Sequence, residues 1–183
     1  MTESTHGPPL NVKREILDGV PYTQRRFDFQ RARAAQALGM HLGSPFDIGW
    51  RGPGGWWILI EPWIALPDSP EVCPALAGWR RERMPEPPLD NAITIVPDWV
   101  CEIGALRTRQ YHLVTKHRFY MKHGVTWLWI VEFDDRLLRT LVAYNGLWRD
   151  VGAGVWGYDD RVRAEPFEAI EFPITDLWLP SDA

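Results

Sequence analysis

Across 183 residues and 21.2 kDa, 45% of the side chains are hydrophobic and 24% are charged, with a mean hydropathy of -0.26, a balance that predicts one folded domain with a sizeable core and excludes a disordered chain. The formal net charge of -4 and pI near 5.7 exclude a protein that coats nucleic acid through its overall charge, though not one with a local basic groove. No apolar run approaches the roughly 20 residues of a membrane-spanning helix, MTESTHGPPL lacks the basic start and apolar core of a signal peptide, and Cys73 and Cys101 lack metal-cluster or disulfide-framework spacing, so free thiols in a reducing cytoplasm are expected.

Residues 1–10, with Gly7, Pro8 and Pro9 and no periodicity, predict a disordered tail ahead of a single domain over residues 11–183. KREILDGVPYTQ predicts two short strands joined by an Asp18-Gly19 turn. Residues 27–40 predict a helix in which Ala32, Ala34, Ala35, Ala37 and Leu38 alternate with Arg31, Arg33 and Gln36, and Gly39 is the stop signal. Its arginines suit either a solvated face or a phosphate contact. Gly43 to Gly55 reads as a loop, too irregular in its glycines for phosphate or dinucleotide binding. Trp56 to Trp63 reads as a strand with Glu61 as a carboxylate inside an apolar run. Most of the 11 tryptophans fall in such runs and are assigned to the core. Asp68 belongs to a turn, and PEPP from Pro85 is a stiff connector. Arg80, Arg81 and Arg83, with Arg107, Arg109, Lys116, Arg118 and Lys122, could rim a site with positive charge, diluted by Glu82 and Glu86.

The stretch from Ile93 to Phe133 reads as strand, turn, helix and strand. Ile93 to Val96 and Trp99 to Ile103 are strand-like runs broken by Pro97, and Glu102 is the single charge inside the second. Beyond Gly104 the pattern turns helical, to about residue 123, and His112 and Lys116, four apart, share a face, while Leu113, Phe119 and Tyr120 can pack on a sheet. Gly124 suits a left-handed cap, and Thr126 to Phe133 is the next strand. The unit predicts a βαβ crossover between parallel strands that places Glu102 and Lys116 near one end of the sheet. Asp134-Asp135-Arg136 predicts a hairpin turn into Leu137 to Tyr144, then strands over Gly146 to Trp156 and Val162 to Phe172, and a helical turn over Thr175 to Leu179. The fold class is α/β (α+β), a mixed sheet flanked by helices. No nucleophile, histidine and acid stand in hydrolase spacing, and Cys101 is assigned to the core.

The runs EVCPALAGWRRERMPEPP from Glu71, PDWVCEIGALRT from Pro97 and HLVTKHRFYMKHGVTWLWIVEF from His112 resemble, in order, the V-P-D-L-A-G-W-R, P-D-W-V-C-E-V-L-S-P-S-T and D-x-x-x-K-x-x-x-Y-x-x-x-G-V patterns of the Uma-two family of restriction endonucleases. The resemblance extends from about Glu15 in REILDG, through RARAAQALG and GPGGWWILIEP, to PFEAIEF. It implies a restriction-endonuclease-like domain of the PD-(D/E)XK type, Mg²⁺ or Mn²⁺ at the sheet edge, DNA as substrate and, by analogy with enzymes that cut both strands, a homodimer. Under it, Glu102 is the metal carboxylate, the backbone carbonyl of Ile103 a second ligand, and Lys116 the ammonium that such sites carry two residues after the glutamate, where this chain has Gly104. Glu61 is either a spare carboxylate near the metal or an edge charge. Three positions depart from the pattern: Ala75 replaces the V-P-D aspartate, Ala105 a serine of the turn, and His112 the aspartate that opens the helix. Glu61 or Glu71 could make good the lost acid, and His112 could ligate Mn²⁺ or Zn²⁺ or be an ordinary helix residue. The missing aspartate predicts weakened or lost phosphodiester hydrolysis. The alternative is a non-catalytic module that binds nucleic acid or protein on the same fold.

Overall fold

A computed structural model describes residues 12–89, 92–104, 111–157 and 159–180, the backbone alone at 111–113. The expected tail over residues 1–10 lies outside them. Asp18 and Gly19 take the left-handed conformation, at φ 51° and 76°, and so close a hairpin between β1 (Val12–Leu17) and β2 (Val20–Arg25). Asp28 then caps α1 (Phe29–Leu42) by accepting from the Arg31 amide. Gly39 does not stop this helix. It sits inside α1, where a Cβ would come within 2.8 Å of Ile60 Cδ1, so its role is close packing on the sheet. A wider π-helical turn, Gly43–Ile48, continues the helix into the segment expected as loop and ends at Gly49, φ 79°.

The remaining elements are β3 (Trp56–Ile60), β4 (Ile64–Leu66), β5 (Ser69–Val72), β6 (Leu76–Arg80), β7 (Trp99–Gly104), a π-helical turn (Tyr111–Lys116) running into α2 (His117–His123), β8 (Trp127–Glu132), β9 (Leu137–Tyr144), β10 (Leu147–Gly157), β11 (Arg161–Val162), β12 (Phe172–Pro173) and a 3₁₀ turn (Ile174–Leu177). The main sheet has the order β10-β9-β8-β7-β6-β3, and a smaller one the order β2-β1-β5-β4. In the main sheet β7 and β8 are parallel and every other pair is antiparallel, so the expected crossover through α2 is present. β3 is separated from β7 by β6.

Two expected strands are absent. Pro97 interrupts the Ile93–Val96 run, and the Ile95 carbonyl accepts from Trp79 Nε1 at 2.8 Å instead of entering a ladder. Ile93 makes a single bridge to Ile64. Between Val162 and Phe172 the chain pairs only at its two ends, as β11 and β12. Its middle is drawn inward by Phe167, whose ring packs 4.7 to 5.6 Å from Phe46, Trp56, Trp99 and Trp129.

Period-two alternation divides the main sheet into two faces. Leu76, Cys101, Ile103, Trp129 and Val131 face α1 and the C-terminal segment. Ala77, Trp79, Val100, Leu128 and Ile130 face α2 and the small sheet, through Phe119, Tyr120, Leu17 and Val72. Among the described residues no helix is long and apolar enough to cross a membrane.

Candidate functional site

Glu102 is the most deeply buried polar side chain that the central strands turn to the second face. Its position two residues after Val100 turns its side chain toward α2, and it is only 3% exposed. A carboxylate removed from water at that depth requires charge-assisted partners, and the crossover supplies them. Lys116 ends the π-helical turn and Tyr120 follows one turn later on the same helix face. The Lys116 ammonium donates to Glu102 Oε1 at 2.8 Å, and the Tyr120 hydroxyl donates to the same oxygen. Glu102 and Lys116, expected near one end of the sheet, are thus in direct contact.

A second carboxylate enters from β1. Glu15 alternates with Leu17 on the inward face of that strand, and its Oε1 lies 2.8 Å from Lys116 Nζ. The same oxygen accepts from the Cys73 amide at 3.0 Å, and Oε2 accepts from the Gln24 side-chain amide. Glu15 and Lys116 are fully buried. Glu15 and Tyr120 are the members of this cluster that residue patterns did not single out. Glu15 sits among Lys13 and Arg14, which mimic an exposed hairpin, and Tyr120 reads as packing. The spacing of four from Lys116 was the available signal.

The other candidate residues take separate places. The β6–β7 register ends with Leu76 paired to Cys101; the fully buried Ala75 stands one residue beyond it and packs in the α1-side core. The Glu61 amide donates to the Ala75 carbonyl at 2.9 Å, which puts Glu61 two strands from Glu102 at the same sheet end. Its backbone has φ 46°, and its carboxylate pairs with Lys13 at 3.2 Å. Lys13 also donates to the Cys73 carbonyl at 3.0 Å, so Glu61 borders the cluster through Lys13 and Cys73. Burial pushes the Cys73 thiol up, partly opposed by the Lys13 charge. Glu71 lies on the outer side of β5 with Arg14 at 3.7 Å. The Ile103 side chain packs in the α1-side core. Ala105, Arg107, Arg109 and the His112 side chain lie outside the described residues.

The expected basic rim of Arg80, Arg81 and Arg83 does not surround Glu102. Arg80 ends β6 at the opposite end from Ala75 and stacks over Trp56 and Trp127 at 5.1 and 5.2 Å. Arg81 pairs with Asp47 at 2.9 Å and Arg83 with Asp98 at 2.7 Å. Asp98 is thereby a structural acid, accepting also from the Arg80 amide at 2.9 Å.

The donor set can be tested against a hard divalent ion, which takes several oxygens at about 2.0 to 2.6 Å. Among the described residues no three His, Cys, Asp or Glu side chains converge. Glu15 and Glu102 are the acids that meet, and Oε1 of each is occupied by the same ammonium. With alanine at position 75, these residues do not fit a resident Mg²⁺ or Mn²⁺. They form an ammonium held between two carboxylates.

Comparison with known proteins identifies the family and the fold. A model of the Uma2 family, described as "Putative restriction endonuclease", matches residues 11–174. No curated protein matches the chain. Among solved structures, one described as a putative nuclease belonging to DUF820 from Anabaena variabilis is similar at 16% identity, with a TM-score of 0.72 over 93% of this chain and 92% of that one.

Proposed function

The chain belongs to the Uma2 family of restriction-endonuclease-like proteins, and from that premise we propose that it is a divergent DNA endonuclease of the PD-(D/E)XK type whose Mg²⁺- or Mn²⁺-dependent phosphodiester hydrolysis has fallen to near background. The observation that carries this reading is the meeting of Glu102, Glu15 and Lys116 at one sheet end, with alanine one residue beyond the Leu76–Cys101 pair, at the position where the family resemblance expects a further acid. Were an acid restored at position 75, it and Glu102 would be the residues to hold a divalent ion, which would supply water activation and phosphate screening. This chain's own residues have narrower roles. Glu102 and Glu15 fix the Lys116 ammonium, and Tyr120 fixes Glu102. Exposed by an opening of the cluster, that ammonium would stabilise negative charge developing on a phosphoryl oxygen.

A second reading, a DNA-binding module without catalysis, is favoured by the complete burial of Lys116, which keeps the ammonium from substrate unless the cluster opens. Manganese binding, followed by calorimetry or electron paramagnetic resonance, tests the main reading. The native protein is expected to bind Mn²⁺ weakly, Ala75→Asp at least about tenfold more tightly (1.4 kcal/mol per decade), and Glu102→Gln in that background to cancel the gain. Tight native binding that Glu102→Gln leaves unchanged would overturn the assignment of Glu102. Equally weak binding by native protein and Ala75→Asp would favour the module.

A further inference from the structure

Two cavities join on the α1 side of β3. One, of 1220 Å³, is lined by residues that include Arg33, Met40, Ile48, Trp50 and Arg51, and the other, of 320 Å³, by residues that include Arg26, Phe27 and Glu61. Gln36 and Ile60 line both, so together they make one groove from the π-helical turn to the end of β3. There it reaches the cluster described above. Phe27 lies under the Lys13 ammonium at 5.3 Å, and Lys13 contacts Glu61 and Cys73. Two strand spacings, about 10 Å, separate the backbone at Glu61 from that at Glu102.

The charges along this groove are unevenly matched. Its acids have partners: Glu61 pairs with Lys13, Glu171 with Arg161, and Asp176 with His41 at 2.9 Å. Its arginines do not. Among the described residues Arg26, Arg33 and Arg51 enter no ion pair, although Arg81, Arg83, Arg139 and Arg161 elsewhere do. Arg33 donates only to the Asp176 backbone carbonyl at 3.4 Å, and the Arg51 guanidinium lies 4.7 Å over the Trp50 ring. The chain carries net negative charge, so this is a local positive track. It runs beside apolar surface that the core does not use: Trp50 is 63% exposed, Met40 66% and Ile48 80%.

Unpaired guanidinium groups beside a solvated indole suit a ligand with regular phosphates and open base faces. A duplex hides those faces, whereas a single strand presents them. We propose that the groove binds single-stranded DNA, with a base stacked on Trp50 and phosphates on Arg26, Arg33 and Arg51, and that the strand turns at Glu61 toward the Lys116 cluster. The choice of DNA among polyanions rests on the nuclease reading, but the binding does not require hydrolysis.

The test is fluorescence anisotropy of a labelled oligothymidine of about 20 nucleotides, a length that covers such binding sites, and of a duplex of equal length, in low salt with EDTA. The single strand is expected to bind more tightly than the duplex. Trp50→Ala is expected to weaken it about tenfold while Trp50→Phe retains most of the affinity. Each of Arg26→Ala, Arg33→Ala and Arg51→Ala should lower the magnitude of the salt slope by about 0.7. Arg149, on the edge strand β10, stacks at 4.4 Å over Tyr144 of the neighbouring β9, at the far side of the sheet from β3, so Arg149→Ala removes an equivalent pair outside the groove and should change neither quantity. Absence of single-strand binding, equal or stronger duplex binding, unchanged affinity in Trp50→Ala, or an equal effect of Arg149→Ala and Arg51→Ala would each overturn the proposal. With EDTA present these outcomes are independent of metal binding and cleavage, which test the nuclease reading separately.

Discussion

Lys116 carries an unusual burden for a single side chain, because two buried carboxylates depend on its one positive charge. Removing it leaves Glu15 and Glu102 as neighbouring anions away from water. Lys116→Met is therefore expected to destabilise the protein by about 3 to 5 kcal/mol in denaturant unfolding. Adding Glu102→Gln in that background should recover part of the loss, since the repulsion disappears; strictly additive losses would contradict the shared-ammonium geometry. At this scale Glu102 was legible as a lone charge in a strand and Lys116 as a basic residue on the following helix. Glu15 was not, because its environment is made by chain distant in sequence: the Cys73 amide comes from beyond β5 and the ammonium from the crossover. No local pattern in KREIL distinguishes that glutamate from its charged neighbours Lys13 and Arg14.

Among the elements, those with clear periodicity or turn chemistry formed as their sequences predict. The Asp18-Gly19 hairpin, α1 and the β7–α2–β8 crossover are examples. Those fixed by the core did not. The 161–173 segment is shaped by Phe167 rather than by strand pairing, and Phe167→Ala is expected to cost about 3 to 5 kcal/mol, read from the denaturation midpoint at constant m. A cost below about 1 kcal/mol would remove that ring from its role as the plug of the aromatic cluster. The hairpin and α2 are also tied to each other. Asp18 accepts from Lys122 at 2.8 Å, with His123 at 3.4 Å, and the Lys122 bond holds its carboxyl below the usual value. A depressed folded-state value stabilises the protein above the unfolded carboxylate range and is lost as pH falls through the folded value. Asp18→Asn should thus cost up to about 1 kcal/mol at neutral pH, given the exposure of the pair, and nothing once the medium is acid enough to protonate Asp18. A difference that persists unchanged in acid would show that the tether is not electrostatic.

For the whole molecule, the mixed sheet was readable because a parallel crossover leaves its marks in consecutive residues from Trp99 to Glu132, while its restriction-endonuclease-like character was legible only through the family resemblance of the motif runs. The state of the site was readable only in part. Against the family pattern Ala75 stands where an acid is expected, but the burial of that alanine in the α1-side core, and the ammonium already shared with Glu15, belong to the assembled sheets. On the proposed nuclease reading, in which alanine replaces the family's acid at position 75, activity is expected to be restored by a single substitution. Nicking of supercoiled plasmid in Mn²⁺ by native protein, Ala75→Asp, and Ala75→Asp combined separately with Glu102→Ala and with Lys116→Ala measures this most directly. Ala75→Asp should nick faster than the native chain, and either second substitution should abolish the gain without additive losses, because both act on one transition state. Strong nicking by the native protein, at a rate unaffected by Glu102→Ala, would contradict the account.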